Sequence, residues 1–135
     1  MNKKYAMKKW ILFIAAILTL CSSVAMATKW IEIYEDEEAV VYADFSSMTR
    51  FDNKVKMWVL NDYKKVEYFF AEKVLSWRNL SEYDCFRSRM RVLQHSVHSG
   101  NMGTGKVVNK TTKVMPWIPL FYRTKKNWEY ACGIH

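Results

Sequence analysis

The chain has 135 residues, half of them apolar, with a formal net charge of +8 and three cysteines. That length bounds it to one domain. Four of the basic residues and no acid fall in the first 27, so the remainder carries +4. Such mild basicity suits anionic partners but is not the dense patch of a nucleic-acid binder, and no nucleic acid is expected.

Lys3, Lys4, Lys8 and Lys9 precede an apolar run from Trp10 to Leu20, then Cys21 and Ala25-Met26-Ala27. A basic start, an apolar run and an A-x-A site define a secretory signal peptide over residues 1–27. Met7 is an alternative start, because Met7-Lys8-Lys9 still supplies a basic region. An uncleaved anchor helix competes with cleavage, but the run is shorter than the roughly 20 residues a membrane span needs. A lipid-modified Cys21 also competes, and Leu20 stands where a small residue is wanted. Cleavage leaves residues 28–135 as the domain, with no transmembrane segment expected in it. Cys85 and Cys132 then remain. In an exported protein an even pair reads as a disulfide, the alternative being two free thiols. The bond would close a loop of 48 residues, worth about 4 kcal/mol in the chain-entropy model.

Trp30–Tyr34 reads as a short strand, and Glu35–Glu38 as a solvated turn. Ala39–Ala43 is β-branched and aromatic, hence a strand. Asp44 is expected to cap one helical turn over Ser46–Met48. Phe51–Asn53 is a turn, and Lys54–Tyr63 is the clearest strand. Val55, Met57 and Val59 share its apolar face, and Lys54, Lys56, Trp58 and Leu60 share a mixed one. That pattern suits an antiparallel sheet with one face on a core. Tyr68-Phe69-Phe70 is expected to pack on the sheet rather than stand exposed for a partner.

Lys73–Asp84 and Phe86–His98 read as two strands, or as one long strand broken near Asp84-Cys85. The glycine-rich stretch Ser99–Gly105 permits a tight reversal into a returning strand, Lys106–Thr111. Met115–Pro119 is extended. Thr124–Cys132 reads as a capped helix with Trp128 and Cys132 on one face. Strands followed by one helix indicate an α+β domain.

Gly100–Lys106 matches G-x-x-x-x-G-K. Val107 replaces the hydroxyl that holds magnesium, and a strand follows where the motif needs a helix, so the stretch is a turn. Arg87, Arg89 and Arg91 recur with period two and form the candidate binding stripe, able to meet carboxylate, sulfate or phosphate groups. The ordinary reading pairs them with acids on neighbouring strands. His95 and His98 fall on opposite faces of a strand and cannot share a metal. No G-x-S-x-G serine occurs, no free cysteine stands near a histidine, and Glu82 and Asp84 are a commonplace pair. The expectation is a non-enzymatic protein with no catalytic residue, no metal and no cofactor. Trp30, Trp58, Trp77, Trp117 and Trp128 divide between core and surface in a way that sequence does not sort.

The residues also resemble the surface-adhesin protein E family. The resemblance rests on Trp30, Val41-Tyr42-Ala43-Asp44 with Ser46-Ser47-Met48, and Trp58-Val59-Leu60-Asn61-Asp62-Tyr63. It continues through Glu82-Tyr83-Asp84-Cys85, Arg89-Met90-Arg91, Ser99–Gly105, Trp117-Ile118-Pro119 and Cys132. It implies an antiparallel sheet of about six strands, with a C-terminal helix packed on one face and tethered by a Cys85–Cys132 disulfide. It further implies an exported adhesin that binds host matrix or serum proteins and can form homodimers. The chain departs from the family in lacking a well-placed lipid-attachment cysteine. Periplasm, outer-membrane surface and secretion all stay open, as does a second role: a periplasmic carrier or envelope accessory protein holding an apolar or anionic molecule between helix and sheet.

Overall fold

The computed structural model describes residues 28–134; the expected leader, Cys21 and His135 lie outside the described residues. Six strands follow one another in the sheet in chain order: β1 Ile31–Glu35, β2 Ala39–Phe51, β3 Lys54–Phe69, β4 Glu72–Asp84, β5 Arg89–His98 and β6 Val107–Thr111. A two-residue strand, β7 Ile118–Pro119, pairs with β5 at Arg89 and Met90. The chain ends in helix α1, Tyr122–Cys132. All pairings are antiparallel, so the expected α+β sheet with a terminal helix is what forms.

The strongest periodic segment behaves as its pattern dictates. Val55, Met57 and Val59 are fully buried on the inner face with Val41, Ala43 and Tyr83, and Ile33, Met90 and Ala131 complete the cluster. Each aliphatic side chain buried there contributes about 1.5–3 kcal/mol. Helix α1 covers this face, with Trp128, Tyr130 and Cys132 packed against the cluster. Its Cys132 is bonded to Cys85, just beyond β4. The indole Nε1 of Trp128 donates to the Asp84 carbonyl at 3.2 Å, and Arg50 Nη2 donates to the Ala131 carbonyl at 3.0 Å.

The helix starts earlier than Thr124. Phe121 is its N-cap, and Thr124 sits three residues inside, where its Oγ1 accepts the Phe121 N–H at 2.7 Å. Gly133, in the left-handed region, ends it, and the N–H of Ile134 returns to the Glu129 carbonyl at 2.8 Å.

The helical turn expected over Ser46–Met48 is absent; β2 runs through it with a break in register between Asp44↔Trp58 and Thr49↔Lys56. Asp44 does accept the Ser46 N–H and hydroxyl. Ser47, however, donates to the Asp44 carbonyl at 2.6 Å and accepts the Trp58 N–H at 3.0 Å. Pairing with β3 on both sides outcompetes one isolated turn, and the surplus residues become a bulge.

The Tyr68–Phe70 segment also departs from expectation. Phe69 is half-buried, but Tyr68 is exposed and Phe70 is 90 % exposed at the tip of the β3–β4 hairpin. The two-residue Phe70-Ala71 turn sets Phe70 at φ +54, where Gly and Asn are at home and an aromatic side chain is strained. Phe70 touches Phe69 edge-on at 4.9 Å between centroids. Phe70→Asn is expected to stabilise the domain by about 0.5–1 kcal/mol, measured as a higher urea midpoint. An unchanged or lower midpoint would show that the Phe69 contact outweighs the backbone strain.

With 11 residues, α1 is about 16 Å long. β3, with 16 residues, spans on the order of 50 Å. The helix therefore covers only part of the inner face, and the far end of the β3–β4 hairpin extends past it.

Candidate functional site

The register places like-charged pairs in three neighbouring strands opposite one another. Lys54 faces Asp84, which faces Arg89; Lys56 faces Glu82, which faces Arg91. Opposed residues share a face, so this stack lies on the outer side of the sheet, away from α1. The two carboxylates are buried, Asp84 1 % and Glu82 4 % exposed. Asp84 Oδ1 accepts the Arg87 N–H at 3.0 Å, and its Oδ2 accepts Arg89 Nε at 3.2 Å and Arg87 Nη1 at 3.4 Å. Glu82 Oε2 accepts Arg91 Nε at 2.6 Å and Nη2 at 2.5 Å, while Lys56 Nζ lies 3.8 Å from its Oε1.

Burial pushes the Asp84 carboxyl up, but the Arg87 N–H and the Arg89 and Arg87 side chains together hold it below its ordinary value. It is therefore an ionised anchor that fixes two guanidiniums.

Trp117, brought over by the strand β7 segment, faces the guanidiniums of Arg89 and Arg91 at 4.6 and 4.5 Å from its ring centroid. Further along the same face, Arg78 lies 4.5 Å from the Trp58 ring and 5.7 Å from the Trp30 ring. Leu60 is fully buried there between its cross-strand partners Tyr42 and Arg78. The mixed face of β3 thus carries its own Trp–Arg layer, held by cation–π contact.

The expected stripe of Arg87, Arg89 and Arg91 is not one strand row. A turn over Cys85–Ser88 delays β5 to Arg89, so Arg87 projects from the turn, and only Arg89 and Arg91 share the strand. Ser88, at φ +47, closes the turn, and Asp84 holds its start through the Arg87 N–H. Arg89 and Arg91 meet Asp84 and Glu82 across the strands, as the ordinary reading anticipates, while Arg87 meets Asp84 within the turn. Five cationic side chains, Lys54, Lys56, Arg87, Arg89 and Arg91, still outnumber Glu82 and Asp84, with one further acid, Asp52, in the neighbouring turn. Phe51, the last residue of β2, and Phe86, in the Cys85–Ser88 turn, project at this end, 85 % and 79 % exposed, and the neighbouring turns are joined by the Cys85 N–H on the Asn53 carbonyl at 2.9 Å.

The other motifs resolve as structure. Gly100–Lys106 forms a 3₁₀ turn, Asn101–Gly103, leading into strand β6. Its Met102 N–H donates to Asp62 Oδ1 at 2.6 Å and its Gly103 N–H to Ser76 Oγ at 2.9 Å, so these amides serve internal acceptors rather than a phosphate. A Cβ at Gly100 would meet Thr104 Oγ1 at 2.5 Å, and one at Gly105 would meet Ser99 Oγ at 2.5 Å. His95 pairs with Asn109 at 3.1 Å and His98 with Ser96 at 2.8 Å. Their β4 partners, Asn79 and Ser76, lie on opposite faces. Among the described residues no cluster of three or more His, Cys, Asp or Glu could hold a metal ion. Among them, too, no helix is long and apolar enough to cross a membrane.

A separate open cavity of about 350 Å³ lies on the inner face beyond the end of α1, lined by residues of the β3–β4 hairpin, Val97, Glu38 and Arg123.

Sheet order and tethered helix define a small disulfide-stapled α+β domain with a charged aromatic outer face. The chain belongs to the surface-adhesin protein E family, whose model matches residues 30–133. Crystal form II of Haemophilus influenzae protein E is similar in fold, with a TM-score of 0.59 at 15 % identity, over 82 % of this chain and 94 % of that one. The selenomethionine form of the same protein aligns with a TM-score of 0.54 at 16 % identity, over 82 % and 92 %. No curated protein matches the chain by sequence.

Proposed function

We propose that this chain is a non-enzymatic exported binding protein of adhesin E type that engages anionic partners through the outer face of its sheet. The partner class is a host matrix or serum protein presenting acidic or sulfated groups, or another polyanionic surface. The observation that carries this reading is the excess of cations over carboxylates around Trp117, beside the exposed Phe51 and Phe86. Aromatic and arginine side chains on one rigid face are what protein interfaces enrich. Asp84 and Glu82 preorganise Arg89 and Arg91, which lowers the ordering cost on contact. The Arg87 and Lys56 side chains are the more exposed cations, and they supply the long-range attraction.

Heparin serves as the probe. The double variant Arg87→Gln/Lys56→Gln keeps the closer Arg89–Asp84 and Arg91–Glu82 pairs and is expected to bind about three- to tenfold more weakly near 50 mM salt, with a shallower salt dependence. Unchanged affinity and slope would remove the outer face from the reading. Antibody labelling of intact producing cells tests the compartment: protein found only in the soluble periplasm sinks the adhesin role. The carrier role finds less support, since the inner-face cavity is open and bordered by charged groups rather than deep and apolar.

A further inference from the structure

The inner-face cavity has a chemistry of its own. Tyr63, Tyr68, Phe69 and Trp77 line it, and Val74 and Val97 also border it. Phe69 meets Trp77 edge-on at 6.4 Å between centroids, and Trp77 is backed by the His95 ring at 4.9 Å. The aromatic wall is therefore held from behind and presents ring faces and edges of fixed placement. At about 350 Å³ the cavity falls at the lower end of the roughly 300–1,000 Å³ typical of small-molecule sites.

Its charged border is acidic. Glu38 and Glu67 line the cavity together with Arg123. Arg123 is already engaged, with Nε 2.5 Å from Asp36 Oδ2 and Nη2 2.5 Å from Glu38 Oε2. Its hydrogen bond holds the Asp36 carboxyl down at about 2, so that pair is ionised at neutral pH. The charged lining, Glu38 and Glu67 against Arg123, thus carries one net negative charge, and Arg123 is shared further with Asp36 outside the lining. An anion entering here would meet uncompensated carboxylate charge. A neutral apolar solute would desolvate Glu67 and the Glu38–Arg123 pair without compensation. A cation with an apolar shell meets both features: the ring quadrupoles attract it, and the carboxylates neutralise it.

We infer that the cavity formed by Tyr63, Tyr68, Phe69 and Trp77 beside Glu38 and Glu67 is a binding site for a small quaternary ammonium compound. It is distinct from the outer face: cavity and basic stack lie on opposite sides of the sheet, so occupancy of one leaves the other free. The rings form a wall for the methylated head, which carries diffuse charge and no hydrogen-bond donor. Glu67 supplies the counter-charge that Glu38 shares with Arg123.

The test uses the disulfide-intact mature protein and choline as the probe, followed by intrinsic tryptophan fluorescence and calorimetry. Saturable binding in the millimolar range is expected. The uncharged carbon isostere 3,3-dimethylbutan-1-ol should bind about tenfold more weakly, because it keeps the shape and loses the cation–π and charge terms. Glu67→Gln, at an exposed position, should weaken choline several-fold while leaving heparin binding unchanged. Phe69→Leu should do the same by removing a ring. Equal binding of choline and its isostere would make the site merely apolar and overturn the inference. So would tighter binding of hexanoate than of choline, or no saturable response at 50 mM choline. Because heparin binding is read on the same samples, failure here is separate from failure of the outer-face reading.

Discussion

Replacing both cysteines, Cys85→Ser with Cys132→Ser, is expected to lower stability by about 4 kcal/mol and the melting temperature by roughly 15–20 °C. The bonded residues are separated by 47 positions, and a loop of that length confines the unfolded chain strongly. What remains to hold α1 is burial of Ala131, part of Trp128 and Tyr130, the hydrogen bonds to the Asp84 and Ala131 carbonyls, and the Arg123 pairs with Asp36 and Glu38. Each such bond contributes about 1 kcal/mol net. The urea midpoint should fall and its slope should rise, since without the bond the denatured chain expands and exposes more surface. A loss below about 1 kcal/mol would mean that the denatured chain is already compact around this pair. Thiol labelling of the unreduced protein should find neither Cys85 nor Cys132 free, which checks the starting state.

The parts of the fold that were legible in the sequence are those governed by short-range periodicity. The Val55, Met57 and Val59 alternation marks the core face because one strand carries the whole signal. Positions decided by a partner strand were not legible in the same way. Asp44 with Ser46 and Ser47 has the residues of a capped turn, and only the presence of β3 converts it to a bulge. Phe70 looks like a core residue by composition, and its place in the two-residue turn of a hairpin that outruns α1 leaves it at the exposed tip.

The outer-face stack occupies an intermediate place. Arg87, Arg89 and Arg91 attract notice by spacing, yet the turn that displaces Arg87 depends on Asp84 accepting its N–H. A stronger signal was present: Lys54-x-Lys56, Glu82-x-Asp84 and Arg89-x-Arg91 are three alternating pairs of opposite sign on consecutive strands. Aligning them for charge complementarity gives the register directly. Trp117 could not be found that way, because its position over Arg89 and Arg91 follows from the β7 pairing. Nor could the cavity, whose residues come from both strands of a hairpin, from β5, from the β1–β2 turn and from α1.

Asp84→Ala is expected to cost about 3 kcal/mol or more, comparable to loss of the disulfide, because it strips the buried partner from two guanidiniums. Arg89 would keep Trp117 as its neighbour, but its Nε would lose its acceptor, and the Arg87 N–H that shapes the turn would lose its own. Asp84→Asn retains an acceptor oxygen for that N–H and should cost less, about 1–2 kcal/mol. The pH dependence separates charge from shape. The Asp84 carboxyl is held below its ordinary value in the folded protein, and Asp36 is held down from 3.8 to about 2 by Arg123. Between those values the unfolded chain binds more protons than the folded one. The Asp36 stabilisation is therefore present above pH 4 and is lost as pH falls towards 2, and the Asp84 stabilisation is lost in the same direction, as pH falls. Wild-type stability should drop steeply across that interval. The Asp84→Asn domain, weaker at neutral pH, should drop less, and the gap between them should shrink as the wild-type carboxyl takes up its proton. Urea midpoints at pH 7, 4, 3 and 2 measure this, and a gap that stays constant throughout would assign Asp84 a role of packing alone, with no contribution from its charge.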